Sequence, residues 1–256
     1  MVVNRPGKSK NRADLELVQR GLCETRNQAQ RLIMAGQVRI GADHVISKPS
    51  VQVGPDDDLH ICASYPYVSR GAEKLLAAIE AFRPELAGKI ALDVGASTGG
   101  FTDVLLRGGV AKVYAVDAGY GQLHYTLRND PRVISLERTN ARYLGTDRIP
   151  DPIDVLTADV SFISLTKVLP ACARLLASGA WIMVLVKPQF EARREEVGRG
   201  GVVRDPAVRE RCVKKIRTFA ETDLKWHIVG AVDSPITGPK GNKEVMAAFR
   251  AGSGTC

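Results

Sequence analysis

The sequence predicts an α/β protein: a buried, mostly parallel sheet wrapped by helices, preceded by a small α+β unit. Three observations predict it. From about residue 69 onward, helical and strand patterns alternate, and parallel strands joined by helices are the economical solution to that order. Several of the strand patterns, such as Ile153–Ala158 and Ala180–Val186, are apolar almost without interruption, so both faces of the sheet are covered. Before residue 62 the rhythm is different, with short segments broken by Gly, Pro and Asp.

The first 11 residues read as a basic, polar arm. A helix is expected over Ala13–Arg20, with Leu15, Leu17 and Val18 as its apolar stripe and Gly21 as its stop. Thr25 is placed to cap a second helix running to about Ala35, with Gly36 ending it. Short strands follow at Gln37–Ile40, His44–Ile46, Val51–Val53 and Leu59–Cys62, separated by turn residues such as Gly41-Ala42-Asp43. A unit of this size works through its surface and not through a ligand cavity. Residues 63–68, with Tyr65-Pro66-Tyr67, read as a linker.

In the larger unit the expected helices are Ser69–Phe82, Gly100–Arg107, Gln122–Leu127, Ile163–Leu176 and Pro206–Thr222. The expected strands are Ile90–Val94, Lys112–Val116, Val133–Leu136, Ile153–Ala158, Ala180–Val186, Trp226–Val232 and Glu244–Arg250. The domain boundaries are therefore 1–62, 63–68 and 69–256.

Composition narrows the function. The chain has 256 residues, 45% of them hydrophobic and 25% charged, which suits a folded globular protein. No apolar run is long enough to cross a bilayer, and the polar N-terminus carries no signal-peptide pattern, which makes the cytoplasm the expected location. The net charge of +8 points to a polyanionic partner. The excess is concentrated at the start: Arg5, Lys8, Lys10, Arg12, Arg20, Arg26, Arg31 and Arg39 stand against Asp14, Glu16 and Glu24. Taken alone, this is also what a solvated basic arm looks like. Five scattered cysteines without a Cys-x-x-Cys pair, and four histidines without ligand spacing, argue against a disulfide framework and a metal site.

Strand Ile90–Val94 runs into the small-residue loop Gly95-Ala96-Ser97-Thr98-Gly99-Gly100 and then a helix that includes Phe101. Backbone can approach a ligand closely in such a loop. The spacing is not the dinucleotide pattern G-x-G-x-x-G, and Asp93 sits inside the motif. A carboxylate there suits a ligand with an ammonium or sulfonium group. Asp117 ends the next strand, where an acid takes the hydroxyls of an adenosine ribose. Together Asp93 and Asp117 are placed for S-adenosylmethionine. A tight turn with two solvated carboxylates is the plainer alternative. Two more strands end in charge: Asp159 after Ala158, and Lys187 after Val186. Ligands gather at the carboxyl ends of parallel strands. A lysine so close to a buried strand needs a partner, and Asp159 is in position to supply one. A structural ion pair at the sheet rim explains the same residues. Lys74 and Glu244 flank the sheet and are candidates to join them.

At these residues the chain resembles the TlyA group of FtsJ-type RNA ribose methyltransferases. The strings SRGAEKL, LDVGASTGGFTDVLL, AVDAGYGQL, LRNDPRV, LERTNAR, ADVSFISL, LVKPQFE and GGVVRDP carry the resemblance. It implies a Rossmann-like class I methyltransferase sheet. It implies a catalytic tetrad of Lys74, Asp159, Lys187 and Glu244 acting on a ribose 2′-hydroxyl. It also implies an S-adenosylmethionine site at Asp93, Gly95, Ala96, Ser97, Thr98, Gly99, Gly100, Phe101, Asp117, Asn140 and Asp159. Lys187 then either accepts the hydroxyl proton or orients the hydroxyl lone pair, and the residues do not choose between the two. The string TRNQAQRLIMAGQVRIGADHV resembles the RNA-binding domain first seen in ribosomal protein S-four. In that reading Arg20, Arg26, Arg31 and Arg39 contact RNA phosphates, which position a substrate without reading its sequence. The loop Gly198–Val203, flanked by Arg193, Arg194, Arg199 and Arg204, is expected to close over bound RNA or else to be a plain surface loop. The implied partner is ribosomal RNA or a ribosomal subunit, with a cytidine of the large subunit, and in some relatives also of the small subunit, as target. No membrane role is implied, although relatives have carried a haemolysin label, and the oligomeric state is not set by the sequence. The rivals are a ribosome-binding or assembly factor without catalysis, a membrane-active haemolysin, and a nicotinamide dehydrogenase.

Overall fold

The structure is a computed structural model that describes residues 10–34, 36–41, 44–46, 48–62, 66–238 and 240–252. Arg5 and Lys8 of the expected arm, the helix end at Ala35, the turn residues Ala42 and Asp43, and Tyr65 of the expected linker lie outside the described residues. The chain forms two compact units, divided between Pro66 and Tyr67.

In the smaller unit, helices α1 (Ala13–Gln19) and α2 (Arg26–Met34) accompany strands β1 (Asn11–Arg12), β2 (Val38–Ile40), β3 (His44–Val45), β4 (Gln52–Val53) and β5 (Leu59–Ile61). Strand β2 pairs antiparallel with β3 and β5, and β1 pairs antiparallel with β4. The amide of Gln28 donates to the Thr25 hydroxyl at 3.2 Å, as expected for a cap of α2. Two expectations are corrected. Asn11, expected in the arm, forms a strand with Arg12. The buried stripe of α1 is not Leu15-Leu17-Val18: Leu15 is 44% exposed, while Asp14 and Glu16 are buried beside Ala13 and Leu17. Their burial follows from their partners. Asp14 accepts from Arg12 (2.9 Å), Arg26 (2.9 Å) and Gln30 (2.8 Å), and Glu16 accepts from Asn11 and Arg20. The Arg12 guanidinium, helped by Gln30 and Arg26, holds the Asp14 carboxyl well below the usual carboxylate range.

In the larger unit, β6 (Ile90–Val94), β7 (Lys112–Val116), β8 (Val133–Leu136), β9 (Ile153–Ala158), β10 (Leu176–Val186), β11 (His227–Asp233) and β12 (Val245–Arg250) form one sheet. Its order is β11-β12-β10-β9-β6-β7-β8. Pairs among β10, β9, β6, β7 and β8 are parallel, and β12 runs antiparallel to both β10 and β11. The helices are α3 (Ala72–Phe82), α4 (Gly100–Arg107), α5 (Tyr125–Arg128), α6 (Leu165–Ala173), α7 (Pro188–Glu191) and α8 (Pro206–Thr222). The apolar interior gathers Leu92, Tyr114, Leu156, Ile182, Val184, Trp226 and Phe249 from these layers. Helix α6 is shorter than expected and β10 longer. Ser164 caps α6 through the Thr166 amide, and Leu176 already pairs with Ile153 before the register shifts ahead of Trp181. Gly179 takes a φ of +69° in that bulge, a conformation glycine adopts without strain. The expected helix starts at Ser69 and Gln122 move to Ala72 and Tyr125. No helix among the described residues is long and apolar enough to cross a membrane.

Candidate active site

The carboxyl ends of β6, β7, β9 and β10 meet at one edge of the sheet. Gly95 follows β6 with a φ of +81°, and a Cβ there would lie 2.5 Å from the carbonyl oxygen of Asp159. Only glycine lets the β6 loop pass so close to the end of β9. The Ser97 amide then donates to Asp117 Oδ2 at 2.8 Å, and the Gly119 amide to Oδ1 at 2.7 Å. The Asp117 carboxylate is thereby fixed at the mouth of a cavity of about 510 Å³. Gly95, Ser97, Asp117, Asn140 and Asp159 line this cavity, together with apolar walls such as Val116, Val160 and Ile163. Ala96, Thr98, Gly100 and Phe101, again with Gly95, Ser97 and Asp159, line an adjoining cavity of about 150 Å³.

Two expected cofactor residues line neither cavity. Gly99 packs under α5, where a Cβ would meet Leu127 and Leu123. Asp93 is fully buried, and its oxygens accept from the hydroxyls of Thr102 (2.7 Å) and Thr157 (2.9 Å). Burial pushes its carboxyl up to about 6. Asp93 therefore braces the loop from below, and the acid that faces the cavities beside Asp117 is Asp159. Nothing in the motif spacing separates these roles; the threonine on the neighbouring strand does.

The four expected tetrad residues come together. Lys74 Nζ lies 2.7 Å from Glu244 Oε2 and 3.7 Å from Asp159 Oδ2. Lys187 Nζ lies 2.5 Å from Asp159 Oδ1 and donates to the Ser161 hydroxyl at 2.8 Å. Lys74, Lys187 and Glu244 are buried, Glu244 to within 1%, whereas the Asp159 side chain keeps 19% of its surface. Two cations and two carboxylates alternate in a chain, so each buried charge has an opposite neighbour. The Glu244 register is the expected one, because Val245 opposite Val186 starts β12 level with the end of β10. Sequence reasoning missed Ser161 and Gln189, whose amide reaches Glu244 Oε1 at 3.3 Å. It also missed Phe162, 91% exposed on the large cavity and set against the Phe190 ring at 5.2 Å.

The four arginines of the smaller unit divide. Arg20 donates to Glu16 and to the carbonyls of Asp57 (2.6 Å) and Gly54 (2.8 Å), so its guanidinium is turned toward its own unit. Arg26 pairs with Asp14 but stays half exposed, Arg31 is exposed on α2, and Arg39 lies on β2.

Two families match the chain: FtsJ-like methyltransferases over residues 67–251 and the S4 domain over residues 12–59. The chain is 51% identical, over 93% of its length and 89% of the relative, to the 16S/23S rRNA (cytidine-2′-O)-methyltransferase TlyA of Mycobacterium tuberculosis. It is 42% identical, over 90% of its length and 95% of the relative, to hemolysin A of Brachyspira hyodysenteriae. A solved structure of a Streptococcus thermophilus protein, provisionally described as a hemolysin, matches with a TM-score of 0.74 at 40% identity, over 96% of this chain and 90% of that one. On these matches the chain belongs to the TlyA family of FtsJ-like rRNA (cytidine-2′-O)-methyltransferases.

Proposed function

We propose that this chain transfers a methyl group from S-adenosylmethionine to the 2′-hydroxyl of a cytidine in ribosomal RNA, with the large subunit as first candidate and the small subunit as a second. The alternating chain Glu244–Lys74–Asp159–Lys187, whose Asp159 lines the 510 Å³ cavity, is the observation that carries the reading. S-adenosylmethionine supplies a methyl group already activated by its sulfonium. The chain's residues do the rest. Asp117 takes the ribose hydroxyls, the apolar walls take the adenine, and the Gly95 loop and Asp159 border the amino-acid end. Asn140 lines the same wall.

Lys187 has three N–H donors, and two face Asp159 and Ser161. The third is left for the 2′-oxygen. This supports an orienting role, in which the ammonium fixes the hydroxyl so that a lone pair faces the methyl donor, and the hydroxyl proton is released to solvent on transfer. Lys74 and Glu244 hold Asp159, and through it Lys187, in place. In the smaller unit Arg31, with Arg26 and Arg39, contacts RNA phosphates, and Arg20 shapes the surface that presents them. A cytoplasmic location goes with that substrate.

The test is methyl transfer from radiolabelled S-adenosylmethionine to unmethylated large subunits, small subunits and whole ribosomes, followed by mapping of the labelled ribose. Label at one 2′-hydroxyl, lost in Lys187→Ala while cofactor affinity stays within about twofold, is the expected result. Undiminished transfer by Lys187→Ala removes the assignment, and no label on any particle removes the substrate class.

A further inference from the structure

Val245 pairs with Val186, so the segment leading into β12 and the segment leaving β10 lie at the same edge of the sheet. Between them is a second built feature. Asn242 is buried, its Nδ2 donates to the Gly201 carbonyl at 2.8 Å, and its Oδ1 accepts from the Val203 amide at 2.9 Å. Gly198 and Val202 form a bridge, so the loop is a closed hairpin. One buried amide thus fastens the 198–203 hairpin to the residues that deliver Glu244. The clamp places three cations around a cavity of about 320 Å³: Arg204, Arg209 and Lys243. Among the described residues none of the three forms an ion pair. The single carboxylate in the lining, Asp205, already accepts from the Ala207 amide as the cap of α8.

Three like charges held together without partners repel one another, and an anion relieves that repulsion. Arg211 and Lys215, further along α8, are by contrast paired with Glu196 and Glu191. We infer that the Arg204–Arg209–Lys243 cavity is a binding site for one backbone phosphate of the RNA strand that carries the methylated ribose. The inference rests on the RNA substrate proposed above. Lys243 directly precedes Glu244, so a phosphate held there fixes the strand at the tetrad while Glu244 stays on the buried side. It is a positioning site: it brings the ribose into line and takes no part in the transfer.

The experiment compares wild type with Arg204→Ala/Arg209→Ala/Lys243→Ala in two assays. The first is binding of a fluorescein-labelled single-stranded RNA 12-mer across 50–400 mM KCl. Loss of one phosphate contact lowers the slope of log affinity against log salt by about 0.7. The second is methylation of unmethylated large ribosomal subunits, where KM is expected to rise roughly tenfold with kcat within about twofold. Arg204→Lys/Arg209→Lys keeps the charge and restores most of the loss. Arg174→Ala, an exposed cation before β10 at the opposite sheet edge, changes neither quantity. A triple variant with the wild-type slope and KM overturns the site, as does an equal loss in Arg174→Ala. A wild type that labels no ribosomal RNA, while the triple variant still loses the slope, keeps the phosphate site and overturns the substrate reading instead.

Discussion

Asp93 and Asp159 end up within one loop of each other and carry opposite duties. Asp159 is partly exposed and flanked by two ammonium groups, so its charge is matched where it stands. Asp93 is fully buried, and its partners are uncharged: the hydroxyls of Thr102 and Thr157 and the Thr102 backbone. Neutral donors do not offset the loss of water, and burial raises its carboxyl from 3.8 to about 6. A carboxyl raised on folding favours the native state at low pH, fully below its unfolded value. That contribution is lost as pH rises through about 6. Asp93→Asn keeps a group that can bond both threonines and cannot ionise. In urea denaturation at pH 5 and pH 8, the variant should gain stability relative to wild type on going to pH 8, by roughly 1.4 kcal/mol. A constant difference between the two proteins at both pH values would place the ionisation elsewhere.

At the level of elements, the α1–α2 pair shows why a polar pattern misleads. Asp14 and Glu16 look like solvent positions, yet they lie inward because Arg12, Arg26, Arg20, Asn11 and Gln30 close over them. The depressed Asp14 carboxyl stabilises the folded unit above its ordinary value of 3.8 and loses that contribution as pH falls below it. Asp14→Ala should open the pair by about 2 kcal/mol. Amide exchange in α1 and α2 would then quicken roughly thirtyfold at neutral pH, with no change in the β6–β10 amides. Equal exchange in both proteins would mean the ion cluster is ornamental. Elsewhere the elements were legible. Strands β6 to β9 and helices α4 and α8 coincide with the apolar runs and caps that predict them. Misplaced ends have local causes: the Ser164 cap, the Gly179 bulge, and α7, whose four residues are too few to show a period. The meeting of Lys74, Asp159, Lys187 and Glu244 was legible because each sits at a strand end or in a motif of the family resemblance. Ser161, Gln189 and the clamp residue Asn242 were not, since hydrogen bonds between loops leave no spacing to read.

Among the described residues each unit buries apolar side chains of its own, and this separates the molecule's responses to heat and to ligand. The smaller core consists of Ala13, Leu17, Cys23, Ala29, Ile33, Val38, Ile46, Val53 and Leu59. So few side chains leave a unit of about sixty residues only marginally stable. The larger core spans seven strands and includes Trp226. Both tryptophans, Trp181 and Trp226, belong to the larger unit, so their fluorescence reports that unit alone, while circular dichroism reports both. On heating, the ellipticity should therefore begin to fall before the fluorescence changes. S-adenosylmethionine at a hundredfold excess over its Kd should stabilise the fluorescence transition by about 2.7 kcal/mol and leave the earlier step unmoved, because its proposed residues all lie beyond Pro66. If the two signals coincide, or if the ligand shifts both steps together, the cores are coupled. Loading the cofactor would then tighten the RNA-binding unit as well, and cofactor and RNA affinities would have to rise together.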